Sequence, residues 1–246
     1  MLMASRIQLR KKSIDEIELK LTDNFNQIKE FCESLDLKIN TDKTQCILLK
    51  LPSKKLDKQL ELQLGDVRVE ASSMVKVLGL TIDQHLSFKQ HIETKVKTCH
   101  GLLGLIKKAS GSLPMELLKL SYTALVRPHL EYCSLVLAGA SNTNLMKLET
   151  LQKIASRQIC KVPRDTHSDP LLKHLGLQTL KERREIKTIK TVNNILNENT
   201  HPLLFDMFTV GDDGTLTDDV LSRTIFAKKK FSSYAKDVYN MFLLKD

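Results

Sequence analysis

The hydrophobic pattern of this chain changes period near residue 86, and that change narrows the folds open to it. Before it come one long helical segment and then short runs of period two. After it, almost every apolar face recurs at gaps of three and four residues. Leu60-Glu61-Leu62-Gln63-Leu64 alternates, and so does Val67-Arg68-Val69-Glu70, with Gly65-Asp66 between them. Alternation of this kind buries one face of a strand and wets the other, and the intervening Gly-Asp makes the pair a hairpin. Strands confined to the first third and helices elsewhere predict an α+β chain, with no alternation of strand and helix throughout.

The first segment opens on Ser13-Ile14-Asp15-Glu16, a capping box in which the serine side chain faces the amide three residues on. Ile14, Ile17, Leu21, Phe25, Ile28, Phe31 or Cys32, and Leu35 then share one helical face, and the helix is expected to end near Ser34–Asp36. Gln45 to Leu49 suits a buried strand. Met74 to Ile82 reads as one more strand, with Gly79 marking a bulge or a close backbone approach, and Pro52-Ser53-Lys54-Lys55 is a loop. From Ser87 a helix is expected to about 109, weakened at Gly101 and Gly104. A second starts at Pro114, which suits a first helical turn, and Pro128 should kink or end it. Leu130 to Leu137 follows, then the break Ala138-Gly139-Ala140-Ser141. A third long helix follows Asn142, with Leu145, Leu148, Leu151, Ile154 and Ala155 on one face and Pro163 as its stop. A fourth spans Leu177 to Leu196. Gly211-Asp212-Asp213-Gly214 reads as a flexible acidic turn, and Ile225 to Leu244 is amphipathic. The expected parts are 1–86, 87–200 and a partly flexible extension, 201–246. Three or four strands and one helix do not readily complete a sheet domain, so the first part reads as a broken-off piece.

The 246 residues carry a net charge of +9 and a pI near 9.2, which suits a polyanionic partner. Residues 101–200 hold 15 Lys/Arg against 8 Asp/Glu, whereas 201–246 hold 6 against 7. The excess therefore sits in the helical middle. Either it meets phosphates or it is a solvated face. No apolar run approaches a membrane span. Cys32, Cys46, Cys99, Cys133 and Cys160 are odd in number and widely spaced, which predicts free thiols in a reducing, intracellular compartment. Cys99-His100 and the pair His129 and Cys133 lack a second ligand pair at finger spacing, so no zinc site is expected. Lys228-Lys229-Lys230 is too short to assign a nuclear signal. There is no G-x-S-x-G, no P-loop and no G-x-G-x-x-G. Asp212-Asp213 and Asp218-Asp219 lie in a loop and do not suit a two-metal site, which needs carboxylates at fixed positions.

Two motifs stand about thirty residues apart: Leu37-Lys38-Ile39-Asn40-Thr41-Asp42-Lys43-Thr44, and Val77-Leu78-Gly79-Leu80-Thr81-Ile82-Asp83 followed by Leu86-Ser87-Phe88-Lys89-Gln90-His91-Ile92. Together they resemble the end of the palm and the start of the thumb in reverse transcriptases of non-LTR retrotransposons, the LINE or jockey-like class. Leu113-Pro114, Tyr122, Pro128, Leu130-Glu131-Tyr132-Cys133 and the run Leu148 to Arg157 resemble the helices that follow. The resemblance covers about residues 1–200. Met1-Leu2-Met3-Ala4-Ser5 resembles the residues directly after the family's metal-binding Tyr/Phe-Ala-Asp-Asp.

The resemblance implies an incomplete palm with the primer-grip segment over 1–86 and a helical thumb over 87–200. It implies that Asn40, Lys43 and Thr44 lie beside the incoming nucleotide. Lys43 would stabilise the leaving pyrophosphate in an intact enzyme, because charge builds there during nucleotidyl transfer. Asn40-Thr41-Asp42-Lys43 also reads simply as a turn. Leu78 and Gly79 would form the primer grip, with the glycine letting backbone approach the primer. Lys153, Arg157, Lys161 and Arg164 form the densest basic stripe and would contact nucleic-acid backbone, although Tyr122 and Tyr132 are the only aromatics nearby. The implied partners are an RNA template, a DNA primer and the remainder of the polymerase, with no membrane. Mg²⁺ is implied for the intact polymerase, while this chain is expected to hold no metal or cofactor and to be inactive alone. A non-catalytic helical nucleic-acid-binding protein and an inert or protein-interaction remnant are the other readings. The chain departs from the family at Val136-Leu137 and Val238-Tyr239-Asn240, where the family carries Trp, and it has no Trp at all.

Overall fold

A computed structural model describes residues 13–51, 53, 58–65, 67–198, 208–211, 214–217 and 231–243. Met1–Ser5, most of the Pro52–Lys55 loop, the acidic pairs Asp212-Asp213 and Asp218-Asp219, and Lys228–Lys230 lie outside the described residues. The chain divides into two compact units, Met1–His85 and Leu86–Asp246.

The first described helix of unit 1 is α1 (Ile14–Ser34). Ser13 is its N-cap, and its hydroxyl accepts from the Glu16 amide at 3.2 Å. The helix ends at Leu35, with Asp36 in the left-handed region (φ 54°) and the Leu37 amide reaching back to the Cys32 carbonyl, the Schellman arrangement that satisfies otherwise orphaned carbonyls. A short 3₁₀ turn (Thr41–Lys43) leads into β1 (Cys46–Ile47). β2 (Glu61–Leu64) and β3 (Val67–Ser72) form the hairpin expected from their alternation, in register Glu61–Glu70 to Leu64–Val67. β1 pairs parallel with β3, so the sheet order is β1-β3-β2. Leu60, Leu62 and Leu64 form the buried centre, against which Ile14, Ile17, Leu21 and Phe25 of α1 pack partly buried. Glu18 fastens this contact, accepting from the Glu61 amide at 2.9 Å while pairing with Lys58 at 2.6 Å.

The segment read as one strand from Met74 to Ile82 is instead a second hairpin, β4 (Met74–Val77) and β5 (Leu80–Asp83). Leu78 and Gly79 are its two-residue turn, at φ 46° and 84°. Positive φ at both central residues marks the I′ geometry, whose twist matches the flanking strands. A leucine at the first position disguised it.

Among its described residues, unit 2 is helical apart from one small hairpin. α2 (Lys89–Ala109) runs unbroken through Gly101 and Gly104. α3 (Met115–Ser121) starts after Pro114 and continues through a π turn (Tyr122–Val126) into α4 (Arg127–Glu131). Pro128 therefore does not end the helix. The Arg127 amide bonds to the Tyr122 carbonyl across a widened turn, and that extra residue accommodates the proline ring and its missing donor. α5 (Ser134–Leu137) is one turn, entered through Cys133 at φ 53°. α6 (Asn142–Ile159) is capped by Ser141. It stops short of Pro163, because Lys161 takes the left-handed conformation (φ 55°) and the Val162 amide bonds back to the Arg157 carbonyl at 3.1 Å. α7 (Ser168–His174) was not anticipated.

α8 (Leu180–Glu198) begins later than the pattern alone suggested. Thr179 and Glu182 form a reciprocal capping box there: the Glu182 amide donates to the Thr179 hydroxyl at 3.1 Å, and the Thr179 amide donates to the Glu182 carboxylate at 2.8 Å. β6 (Thr209–Val210) and β7 (Leu216–Thr217) pair around the glycines once read only as a turn, and α9 (Phe231–Leu243) follows. Ile92, Cys99, Leu118, Tyr122, Val126, Ala155 and Ile159 have no exposed surface and form the main core. Val192, Ile195, Phe208, Leu216 and Ala235 form a second cluster. Asn240 pins β7 by bonding both the amide and the carbonyl of Leu216, at 2.8 and 3.0 Å. No helix among the described residues is long and apolar enough to cross a membrane.

Candidate functional site

In unit 1, Asn40, Lys43 and Thr44 fall together in one turn. The Asn40 side chain accepts from the Lys43 amide at 3.1 Å, and the Thr44 hydroxyl donates to the Asn40 carbonyl at 3.1 Å. Asn and Thr thus shape the backbone, and the Lys43 side chain is exposed. The next residue, Gln45, links this turn to the second motif: its side-chain oxygen accepts from the Lys76 amide of β4 at 3.1 Å. The Leu78-Gly79 tip closes that same hairpin, and Leu78 is 87% exposed. A leucine held at positive φ costs about 1–2 kcal/mol, and strain of this kind gathers where function over-determines the backbone.

The residues after this tip are structural. Phe88, His91 and Ile92 are buried at the start of α2. The turn before them uses positive φ at Leu86 and Phe88, 50° and 55°. Asn144 at the start of α6 donates to the Ser87 carbonyl at 3.4 Å. His91 lies 6.3 Å from the Tyr132 ring, and the Lys95 ammonium stands 4.8 Å over that ring. Burial, with the Lys95 charge adding to it, holds the His91 imidazole below its ordinary pKa. The five thiols are free. Burial pushes Cys99 to about 11, opposed by Lys95, which leaves it an inert thiol.

In unit 2 the basic stripe divides. Lys153 is exposed on α6. Arg157 turns its guanidinium onto backbone, donating from Nε to the Thr166 carbonyl at 2.7 Å and from Nη1 to the Lys153 carbonyl at 3.3 Å. It therefore holds the loop after α6 against the helix. Lys161 and Arg164 are exposed on that loop, past the helix end. Three of the four cations face solvent, and the fourth positions two of them.

A cavity of about 490 Å³ lies between α4, α5, α6 and α8. Leu130, Leu137, Leu145 and Leu148 line one side, and Arg184, Lys187 and Lys190 line another. The cavity's signal was present: Leu180, Arg184, Thr188, Val192 and Ile195 are the buried positions of α8, so an arginine falls on the apolar face. Glu149 supports the start of this helix, accepting from the Leu180 amide at 3.3 Å. Burial raises its carboxyl pKa, opposed by the Arg184 charge and by the Leu180 and Lys181 amides.

Over 168 residues the chain is 24% identical to the "Probable RNA-directed DNA polymerase from transposon BS" of Drosophila melanogaster. The match supports a reverse-transcriptase-related fragment. It covers 66% of this chain and 18% of that protein, so the chain spans less than a fifth of its relative's length. No family model matches the chain, and no solved structure matches it. Among the described residues, no group of three or more His, Cys, Asp or Glu side chains could hold a metal ion.

Proposed function

We propose that this chain is the end of the palm, the primer grip and the thumb of a non-LTR retrotransposon RNA-directed DNA polymerase, and that by itself it binds primer–template without catalysing extension. The observation that carries the reading is the similarity to a transposon polymerase over 168 residues. The packing of unit 1 agrees with it. Phe31, Leu35, Leu37, Leu49, Met74, Val77 and Leu78 are all exposed there, which suits a piece whose apolar surface is completed by further polymerase. In this reading Lys43 faces the incoming nucleotide from a turn braced by Asn40 and Thr44. The Leu78-Gly79 tip lies against the primer backbone. Lys153, Lys161 and Arg164 meet phosphates, and Arg157 sets the loop that carries two of them.

The test is binding of a fluorescent RNA–DNA hybrid to the full chain across salt concentrations. Each neutralised phosphate releases counterions, so three contacts should give log K a slope of about −2 to −3 against log salt. Replacing Lys153, Lys161 and Arg164 by Glu together should abolish that binding. A slope near zero in the native chain would sink the reading. Sequencing upstream of the Met1 codon tests descent separately: an in-frame Tyr/Phe-Ala-Asp-Asp running into Met1 is expected, and an unrelated frame would count against it.

A further inference from the structure

The cavity between α4, α5, α6 and α8 has the size of a small-molecule site, within the roughly 300–1,000 Å³ usual for such clefts. Its walls differ in chemistry. Leu130, Leu137, Leu145 and Leu148 give an apolar side, while α8 gives Arg184, Lys187 and Lys190, three residues apart and so on neighbouring ridges of one helix face. The acid in the lining is Glu131, and Arg183 already grips it through Nε and Nη2, the latter at 3.0 Å. It therefore does not repel an incoming anion.

Arg184 decides what the cavity would hold. It is only 6% exposed. Its guanidinium forms an ion pair with Glu149, the nearest carboxylate oxygen standing 3.7 Å away. A guanidinium carries five donors in a fixed fork, more than one carboxylate at 3.7 Å engages. A carboxylate or phosphate entering the cavity would accept from that fork at both oxygens. A polyanion lying on the surface would meet exposed Lys187 and Lys190 first. It would leave Arg184 and the leucines unused.

We propose that this cavity binds an anionic amphiphile, one molecule per chain, with its carboxylate or phosphate head against Arg184, Lys187 and Lys190 and its apolar body among Leu130, Leu137, Leu145 and Leu148. Calorimetric titration of the full chain with decanoate and with decyl phosphate, below their micelle concentrations, tests it. Decanol and acetate serve as probes lacking the head and the body. The better head should bind about tenfold more tightly than decanol, and acetate should not bind measurably. Which head wins separates a fatty-acid source from a phosphate-ester source. The double variant Lys187→Glu/Lys190→Glu changes exposed residues, so it should keep the native melting profile while weakening binding about tenfold. Leu145→Trp fills the apolar side and should remove binding. Decanol binding as tightly as both anions, unchanged affinity in Leu145→Trp, or displacement of decanoate by an oligonucleotide would each overturn the proposal.

Discussion

The first described helix of each unit has 21 residues, α1 and α2, yet the two are buried to different extents. α2 buries His91, Ile92, Cys99, Leu103 and Ile106. α1 buries Cys32 alone, and Phe31 and Leu35 on its predicted apolar face are each 53% exposed. An amphipathic pattern states which face of a helix needs cover. It does not state whether the same chain provides the cover. Because local stability follows buried apolar contact, amide exchange should separate the units most clearly. Amides of α1 should exchange at least about a hundredfold faster than those of α2 and α6 in the full chain. Equal protection would break the comparison and would argue that unit 1 is complete as it stands.

Core truncation sharpens the same contrast. Tyr122 has no exposed surface and sits in the π turn packed beside α2, so Tyr122→Ala should cost about 3–5 kcal/mol in denaturant melts. Phe25 in α1 is only partly buried. Phe25→Ala should cost clearly less, by about 1–2 kcal/mol. If the two variants lose equal stability, unit 1 has a tighter core than its burial indicates.

Acid should act on unit 2 through His91. Its folded pKa lies below the unfolded value because burial, and then the Lys95 charge, disfavour the imidazolium. As pH falls through the ordinary histidine range, near about 6.5, the unfolded chain takes up a proton that the folded chain resists. Stability is therefore fully present above that range and is lost as pH falls toward the lowered folded pKa. His91→Phe should flatten this part of the stability profile. An unchanged slope in the variant would show that another group carries the acid sensitivity.

The elements that were legible in the sequence are those whose signal is local. Ser13 and Glu16 announced the start of α1, and alternation announced β2 and β3. Thr179-Leu180-Lys181-Glu182 carries the same kind of capping signature and marks the start of α8. The misreadings share a different cause. Leu78, Cys133 and Lys161 adopt positive φ with side chains that do not advertise it, so a hairpin turn, a helix break and a helix end were invisible where a glycine would have marked them. Pro128, expected to kink or end its helix, follows a widened turn that breaks the regular α-helix but carries it on to Glu131. In the candidate site, the turn chemistry of Asn40 and the exposure of Lys153 could be read from residue type. The diversion of Arg157 onto the Thr166 carbonyl could not, since it depends on how the loop returns to the helix. Arg184 was readable as a cation on an apolar face, but only once the face itself was traced from Leu180 to Ile195.

Lys161 joins the two halves of this contrast, because it ends a helix and belongs to the proposed phosphate-binding set. As the residue after the C-cap of α6 it holds φ 55°, a conformation costing a non-glycine residue about 1–2 kcal/mol. Glycine relieves that strain but gains freedom in the unfolded chain, which takes back about 0.4–1 kcal/mol. Lys161→Gly should therefore stabilise unit 2 by up to about 1 kcal/mol in denaturant melts. The same substitution removes one cation, so the salt slope for RNA–DNA hybrid binding should become shallower by about 0.9 or less. Stability and binding would then move in opposite directions at one position, as expected where strain is kept for a side chain that is used. A gain in stability with an unchanged salt slope would assign Lys161 to the helix end alone and leave Lys153 and Arg164 as the phosphate contacts.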